Sequence, residues 1–263
     1  MTDGFSLEEM KDLIARAKTV RGAEPAARDP LADLLCRVYP RLDSHLSAFR
    51  SYLDLSQKED AHRRCAGYLL ETIIALGFSG LEGVVGIKSY QSAGGQYDLV
   101  VNGGAGEPLW RIVREFLHMP DGRNDLIVEV KATEGRINDQ QMLRFCGLID
   151  AHFRDTVGLG VMICPQGATG YPTAARRVHS LKAARMHQVL FHARSGVAVV
   201  VLEESDIFAM LNPGGLLRSL DAKGRELREL RGTLPDIAAP VEVDVPPHMA
   251  SVRRWVTAGR PNS

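Results

Sequence analysis

The chain has 263 residues, with 32 Lys plus Arg set against 32 Asp plus Glu, so its formal net charge is zero. That balance removes any general attraction to polyanions, although it leaves room for a local basic cleft. Hydrophobic residues make up 45%, mean hydropathy is -0.10, and no run of about 18 apolar residues occurs, which argues against a membrane span. The length fits one sizeable domain or two small ones.

The N-terminus, MTDGFSLEEMKDL, shows no basic stretch followed by an apolar one, so no secretory signal is expected. Cys36, Cys65, Cys146 and Cys164 are scattered without metal-ligand spacing. Reduced thiols in a cytoplasmic protein, and no zinc site, are the expectation.

Ser6 to Val20 reads as a helix, with Ser6 and Glu9 at capping-box spacing. Gly22–Pro30 reads as a loop, and Pro30–Val38 and Arg41–Leu55 as two more helices. Residues 1–58 are therefore a helical N-terminal extension, packed on the main body through Leu34, Leu35, Leu46, Phe49 and Leu53. A longer helix, Glu59–Leu76, is expected to stop at Gly77. Its apolar face of Leu69, Leu70, Ile73, Ile74 and Leu76 is interrupted by Glu71.

Strands follow at Val84–Tyr90 and Tyr97–Val101, joined by the glycine-rich turn 93–96. A glycine loop (Asn102–Gly106), a short helix (Glu107–His118) and the turn Pro120-Asp121-Gly122 lead into Asp-Leu-Ile-Val-Glu-Val-Lys-Ala-Thr at 125–133. Leu126, Ile127, Val128 and Val130 are strand formers. A helix at Gln140–His152 and a strand at Val157–Cys164 come next. Thr173–His187 reads as an amphipathic helix carrying Arg176, Arg177, Lys182 and Arg185. Val189–His192 and Val197–Leu202 read as a hairpin turned by Ser195-Gly196, and Ser205–Leu211 as a last helix. Arg/Glu-rich and Pro-rich composition makes 212–263 a peripheral or partly disordered segment.

The segment 125–133 carries the chemistry. With a side-chain period of two, Glu129 and Lys131 share one strand face, and Val128 and Val130 the other. Antiparallel pairing of Tyr97–Val101 with Leu126–Lys131 sets Asp98 beside Glu129 and Lys131. Two carboxylates with the carbonyl of Val130 form a hard oxygen site suited to Mg²⁺. Lys131 then faces a scissile phosphate, orienting a water or stabilising developing charge.

Between Glu59 and Cys164 this order of helix, three strands, helix and strand resembles the PD-(D/E)xK nucleases, the restriction-endonuclease-like superfamily. The resemblance rests on Gly67-Tyr-Leu-Leu-Glu71, on Asp98 at a strand start and on Glu129-Val130-Lys131. It implies an α/β fold with an αβββαβ core, a central mixed sheet flanked by helices, over residues 59–211. It further implies that Asp98 and Glu129 bind the metal, that Lys131 serves catalysis and that Glu71 supports the acidic cluster. The expected activity is Mg²⁺-dependent hydrolysis of DNA phosphodiesters, with Mn²⁺ as a substitute ion. A type II restriction enzyme or related prokaryotic antiviral defence nuclease, cutting duplex DNA as a homodimer, is the nearest description.

Two departures stand out. A helix is inserted between Asp98 and Glu129, and the literal Pro-Asp pair is Pro120-Asp121. Asp121 lies eight residues before Glu129, roughly 26 Å of extended chain at about 3.3 Å per residue, so Asp98 is preferred. Arg136, Arg144 and the basic helix could track phosphates, with a solvated helix face as the plainer account. Gln140 and Gln141 open the helix after Lys131, as a Gln does in some relatives. Trp110 and Trp255 read as packing or tail residues. The alternative is a Rossmann-like enzyme whose Gly103–Gly106 loop cradles a nucleotide or S-adenosylmethionine while Glu129 binds ribose hydroxyls. That loop lacks the third glycine of GxGxxG, and the reading leaves Lys131 and Glu71 without a role.

Overall fold

The structure, a computed structural model, describes residues 25–56, 60–91, 96–132, 135–170 and 184–229. The expected helix Ser6–Val20, the turn at 93–95, most of the basic helix 173–187, and Trp255 lie outside them. Three helices come first, α1 (Pro25–Leu35), α2 (Leu42–Ser56) and α3 (Asp60–Ser79), followed by strands β1 (Val84–Gln91) and β2 (Gln96–Gly103). Helix α4 (Pro108–Phe116) precedes β3 (Asp125–Val130), and α5 (Asp139–His152) precedes β4 (Val157–Ile163). The described chain ends with α6 (Ala184–Ser195), β5 (Ala198–Leu202), α7 (Glu204–Ala209) and α8 (Gly215–Glu229).

The protein is thus α/β, with one five-stranded mixed sheet in the order β1-β2-β3-β4-β5. Strand β2 pairs antiparallel with both β1 and β3, and β3, β4 and β5 are parallel. Alternation along the strands sorts side chains into two cores. Leu99, Val101, Leu126, Val128, Val130, Leu159, Val161 and Ile163 join Ile73, Phe78, Trp110 and Leu217 on one face. Ile127, Met162, Val199 and Val201 meet Phe145, Ile149 and Phe191 from α5 and α6 on the other. Gly160 lets α5 approach, since a Cβ there would stand 2.7 Å from the Ile149 side chain.

Several boundaries differ from the sequence expectations for identifiable reasons. Helix α3 runs through Gly77 to Ser79; a Cβ on Gly77 would stand 2.9 Å from the Met210 sulfur, so the glycine serves packing rather than termination. Part of the expected loop 22–30 belongs to α1, which carries Pro30 within it. Leu34 is exposed, while Leu35, Leu46 and Phe49 are buried as expected.

The hairpin expected around Ser195-Gly196 is absent from the described residues, because 189–192 belong to α6. Gly196, at φ +72, donates to the His192 carbonyl and closes that helix, so the Ser-Gly pair is a helix stop. Strand β5 instead joins β4 in parallel.

The segment expected to be peripheral begins with α8, which buries Leu216, Leu217, Leu220 and Leu227 as a helical stripe beneath its Arg/Glu-rich surface. Leu217 has no exposed surface. Leu217→Ala should therefore cost about 3 kcal/mol of stability in chemical denaturation. Leu34→Ala should stay within about 0.5 kcal/mol.

Candidate functional site

The ladder between β2 and β3 places Leu99 opposite Val128, Val100 opposite Ile127 and Val101 opposite Leu126. The antiparallel pairing expected from the sequence is therefore formed, and Leu99–Val128 is its last pair toward the end of β3. On the other side of β2 the register slips. Ser89 and Tyr90, adjacent on β1, face Leu99 and Tyr97, which leaves Asp98 as the additional residue of a β-bulge. Bulges re-aim side chains where pairing ends. Here the Asp98 carboxylate takes the place of a ladder acceptor, its Oδ2 receiving the hydrogen of the Val130 N–H. Asp98 thereby touches the peptide that joins Glu129 to Val130. The contact made by Val130 is through this N–H; its carbonyl is the atom expected as a ligand.

Glu129 and Lys131 share a strand face as the period of two predicts. The Lys131 ammonium stands 2.7 Å from Glu129 Oε1, and the Lys131 N–H donates to the Ile163 carbonyl at 2.7 Å. Arg144, on the outer part of α5, donates to the same Oε1 at 3.1 Å. The Glu129 side chain is only 4% exposed, so its charge depends on these two cations. Its second oxygen, Oε2, is buried and has no hydrogen-bond partner. A buried anionic oxygen left this way has an affinity for a cation or a donor from outside the protein.

Glu71 comes from α3 and meets Asp98 across a cleft of about 330 Å³ lined also by Arg64, Gly67, Tyr68, Ser89 and Tyr97. Burial, and then the negative charge of Asp98, push the Glu71 carboxyl above the usual carboxylate range. Among the described residues, no three Asp, Glu, His or Cys side chains gather closely enough to hold an ion by themselves. The expected site is of a different kind: one or two carboxylates with a backbone carbonyl, the rest of a Mg²⁺ shell being water. The bare Oε2 of Glu129 offers one ligand to such an ion, whereas the cleft shared by Glu71 and Asp98 is lined by neither Glu129 nor Lys131.

Other candidates find plainer places. Gln141 receives the Asn138 N–H and donates its own N–H to the Asn138 side chain, forming the capping box of α5. Gln140 and Arg136 are exposed. Arg185, offered by the sequence for phosphate contact or as part of a solvated helix face, is buried and paired with Glu226 at 2.6 Å. Asp121 is exposed in the turn before β3, at the strand end away from Lys131. Burial pushes the Cys36 and Cys146 thiols up to about 11 and about 12, so neither is a ready nucleophile.

The first two glycines of the 103–106 loop are packed against the protein itself, while Gly106 is open. A Cβ on Gly103 would fall 1.7 Å from the fully buried Trp110 ring, and one on Gly104 would fall 2.3 Å from Glu107. The strands flanking this loop and α4 are antiparallel, whereas a dinucleotide-binding βαβ unit joins parallel ones.

Arg144, which the sequence offers for phosphate contact or as part of a solvated helix face, pairs instead with Glu129. No family model matches the chain, and no curated protein or solved structure is detectably similar to it. No helix among the described residues is long and apolar enough to cross a membrane.

The raised pKa of Glu71 means that the fold disfavours its charged form. That penalty is absent below the ordinary carboxylate pKa and complete above the raised one. Glu71→Gln should thus raise Tm at neutral pH, with the gain shrinking as pH falls through that window. A loss of Tm that grows as pH rises would instead mean that the Glu71 carboxylate is held by favourable contacts.

Proposed function

We propose that the protein is a metal-dependent nuclease that hydrolyses phosphodiester bonds in DNA, built on a restriction-endonuclease-like core. The observation that carries the proposal is the end of β3. There a bulge presents Asp98 to the Glu129–Val130 peptide, and Glu129 keeps one bare, buried oxygen while Lys131 sits on the other. The element order from α3 to β4 supports it, with α4 as an insertion between the second and third strands.

Mg²⁺, or Mn²⁺ in its place, would be held by Asp98, Glu129 and the carbonyl of Val130. Bound there it would offset phosphate charge and make a water molecule more acidic. The residues of the chain do the rest. Lys131, part-exposed beside Glu129, offers an ammonium to the phosphate and to the negative charge that grows on it during attack. Arg144 shares the Glu129 charge and keeps that carboxylate in one orientation. Glu71, whose carboxyl is held above the usual carboxylate range by burial and the charge of Asp98, is the candidate to pass a proton to or from water in the cleft. The repulsion between Glu71 and Asp98 would worsen if a phosphodiester entered alone, which accounts for the need for a cation.

Within this reading the protein is a cytoplasmic defence nuclease of the type II restriction kind. It acts on duplex DNA as a homodimer, so that each single site addresses one strand. The cofactor alternative places no demand on Lys131.

The test is cleavage of plasmid DNA with Mg²⁺, followed by sequencing of the ends. Asp98→Asn keeps an acceptor for the Val130 N–H, and Glu129→Gln keeps the shape of the side chain. Each should abolish Mg²⁺-dependent cleavage while the fold remains. Lys131→Ala should cost about 3–4 kcal/mol of barrier, a loss of at least a hundredfold in rate. Asp121→Ala should cut normally. A parent protein that never cuts, or an active Lys131→Ala enzyme, would sink the reading.

A further inference from the structure

A second polar cleft lies at the opposite end of β3, whose first residue is six residues before Lys131, roughly 20 Å at about 3.3 Å per residue. Arg123 precedes β3, Asp150 lies in the last turn of α5 with Arg154 just beyond it, and Arg194 and Ser195 close α6. Together they line a volume of about 410 Å³, within the range of small-molecule sites.

Both oxygens of Asp150 are engaged. Oδ1 accepts from Arg154 Nε at 3.1 Å and Nη2 at 2.7 Å, and Oδ2 accepts from Arg194 Nη2 at 3.0 Å. These guanidiniums, Arg154 first, hold the Asp150 carboxyl below the usual range. The Ser195 hydroxyl donates to the Phe191 carbonyl and accepts the Val197 N–H. Arg123 stands outside this network: its Nη1 is buried and has no hydrogen-bond partner.

Basic side chains at helix C-termini complement the helix dipole, which accounts for Arg154 and Arg194. It does not account for Arg123, which sits in the turn after Pro120. Burying a guanidinium nitrogen without an acceptor costs stability unless an acceptor arrives. Three guanidiniums and one carboxylate line the cleft, leaving two positive charges in excess. Asp155 acts on Arg154 from nearby but is not part of the lining.

We propose that this cleft binds a phosphoryl group, held by Arg123 with Arg194 and Arg154. The planar fork of a guanidinium matches the tetrahedral oxygens of phosphate, and several forks converging favour that anion over a monodentate one. The group can be a free phosphate, including that of a mononucleotide, or a phosphate of a nucleic-acid backbone. The inference does not depend on the nuclease reading, because none of these residues belongs to the site at Lys131.

The experiment is calorimetry on the full chain without divalent metal, at fixed ionic strength. The probes are inorganic phosphate, adenosine 5′-monophosphate and a short DNA duplex. Free phosphate and the mononucleotide should bind once per chain. R123Q and R194Q should each weaken binding about tenfold or more. D150N, which removes the internal competitor for Arg154 and Arg194, should strengthen it. If only the duplex responds, with the same signs across the three variants, the phosphate comes from the backbone. Should R123Q fail to fold, the opposite signs expected of R194Q and D150N still decide. If none of the three probes distinguishes the parent from these variants, whether through equal binding or none, the proposal is overturned.

Discussion

The Glu129 carboxylate is almost fully enclosed, and its charge has to be met inside the protein. An isolated carboxylate taken from water into an apolar interior would protonate or unfold the region around it. Lys131 and Arg144 both bring a positive charge to Glu129, one from two residues along the chain and one from the first helix after the strand. The pairing fixes the orientation of α5 against β3, since Arg144 must reach across while Phe145 and Ile149 fill the core beside it. Both cations converge on one oxygen. The asymmetry this leaves in the carboxylate gives the end of β3 its chemical character.

The same strand end depends on how β2 terminates. A regular ladder would have continued past Leu99 and covered the Val130 N–H with a backbone carbonyl. The extra residue at Asp98 ends the pairing with a side chain instead, so the backbone donor is satisfied by a carboxylate. One inserted residue thus does two things: it satisfies a buried N–H and brings a negative charge to Glu129-Val130. Tyr97, turned by the bulge into the core beneath α5, packs edge-on against Phe153 with ring centroids 5.2 Å apart and anchors the displaced strand.

Local pattern made much of this legible in the sequence. The period of two put Glu129 and Lys131 on one face, and a connection that need not cross the sheet made β2 and β3 antiparallel neighbours, which together brought Asp98 to the same strand end. The bulge was not legible, because register depends on pairing energies between strands rather than on either strand alone. The pairing of Arg144 with Glu129 was not legible for a related reason. Its partner is fifteen residues away, and nothing in a helix sequence marks which exposed arginine will fold onto a buried acid. Residues 189–192 misled because a short apolar run fits strand and helix alike, and Ser195-Gly196 ends either one. In α8 the dense charge concealed a leucine stripe. Composition averages over the faces of a helix, while burial follows only one of them.

The resting arrangement also constrains how Lys131 could act. At 2.7 Å from Glu129, its ammonium is held by a neighbouring negative charge and is not free to follow a substrate. Arg144 shares that oxygen, so Glu129 is not left bare if the ammonium shifts. Two cations on one carboxylate oxygen therefore allow one of them to be lent to a phosphate without exposing an unpaired buried charge. A single cation would not allow this: moving it would strand Glu129 in the interior at a cost of several kcal/mol, on the order of breaking a buried ion pair. On the proposed reading, Arg144 keeps the strand end stable while Lys131 turns to the phosphate. The arginine then acts on catalysis only by positioning, and Lys131 is the group that meets the substrate.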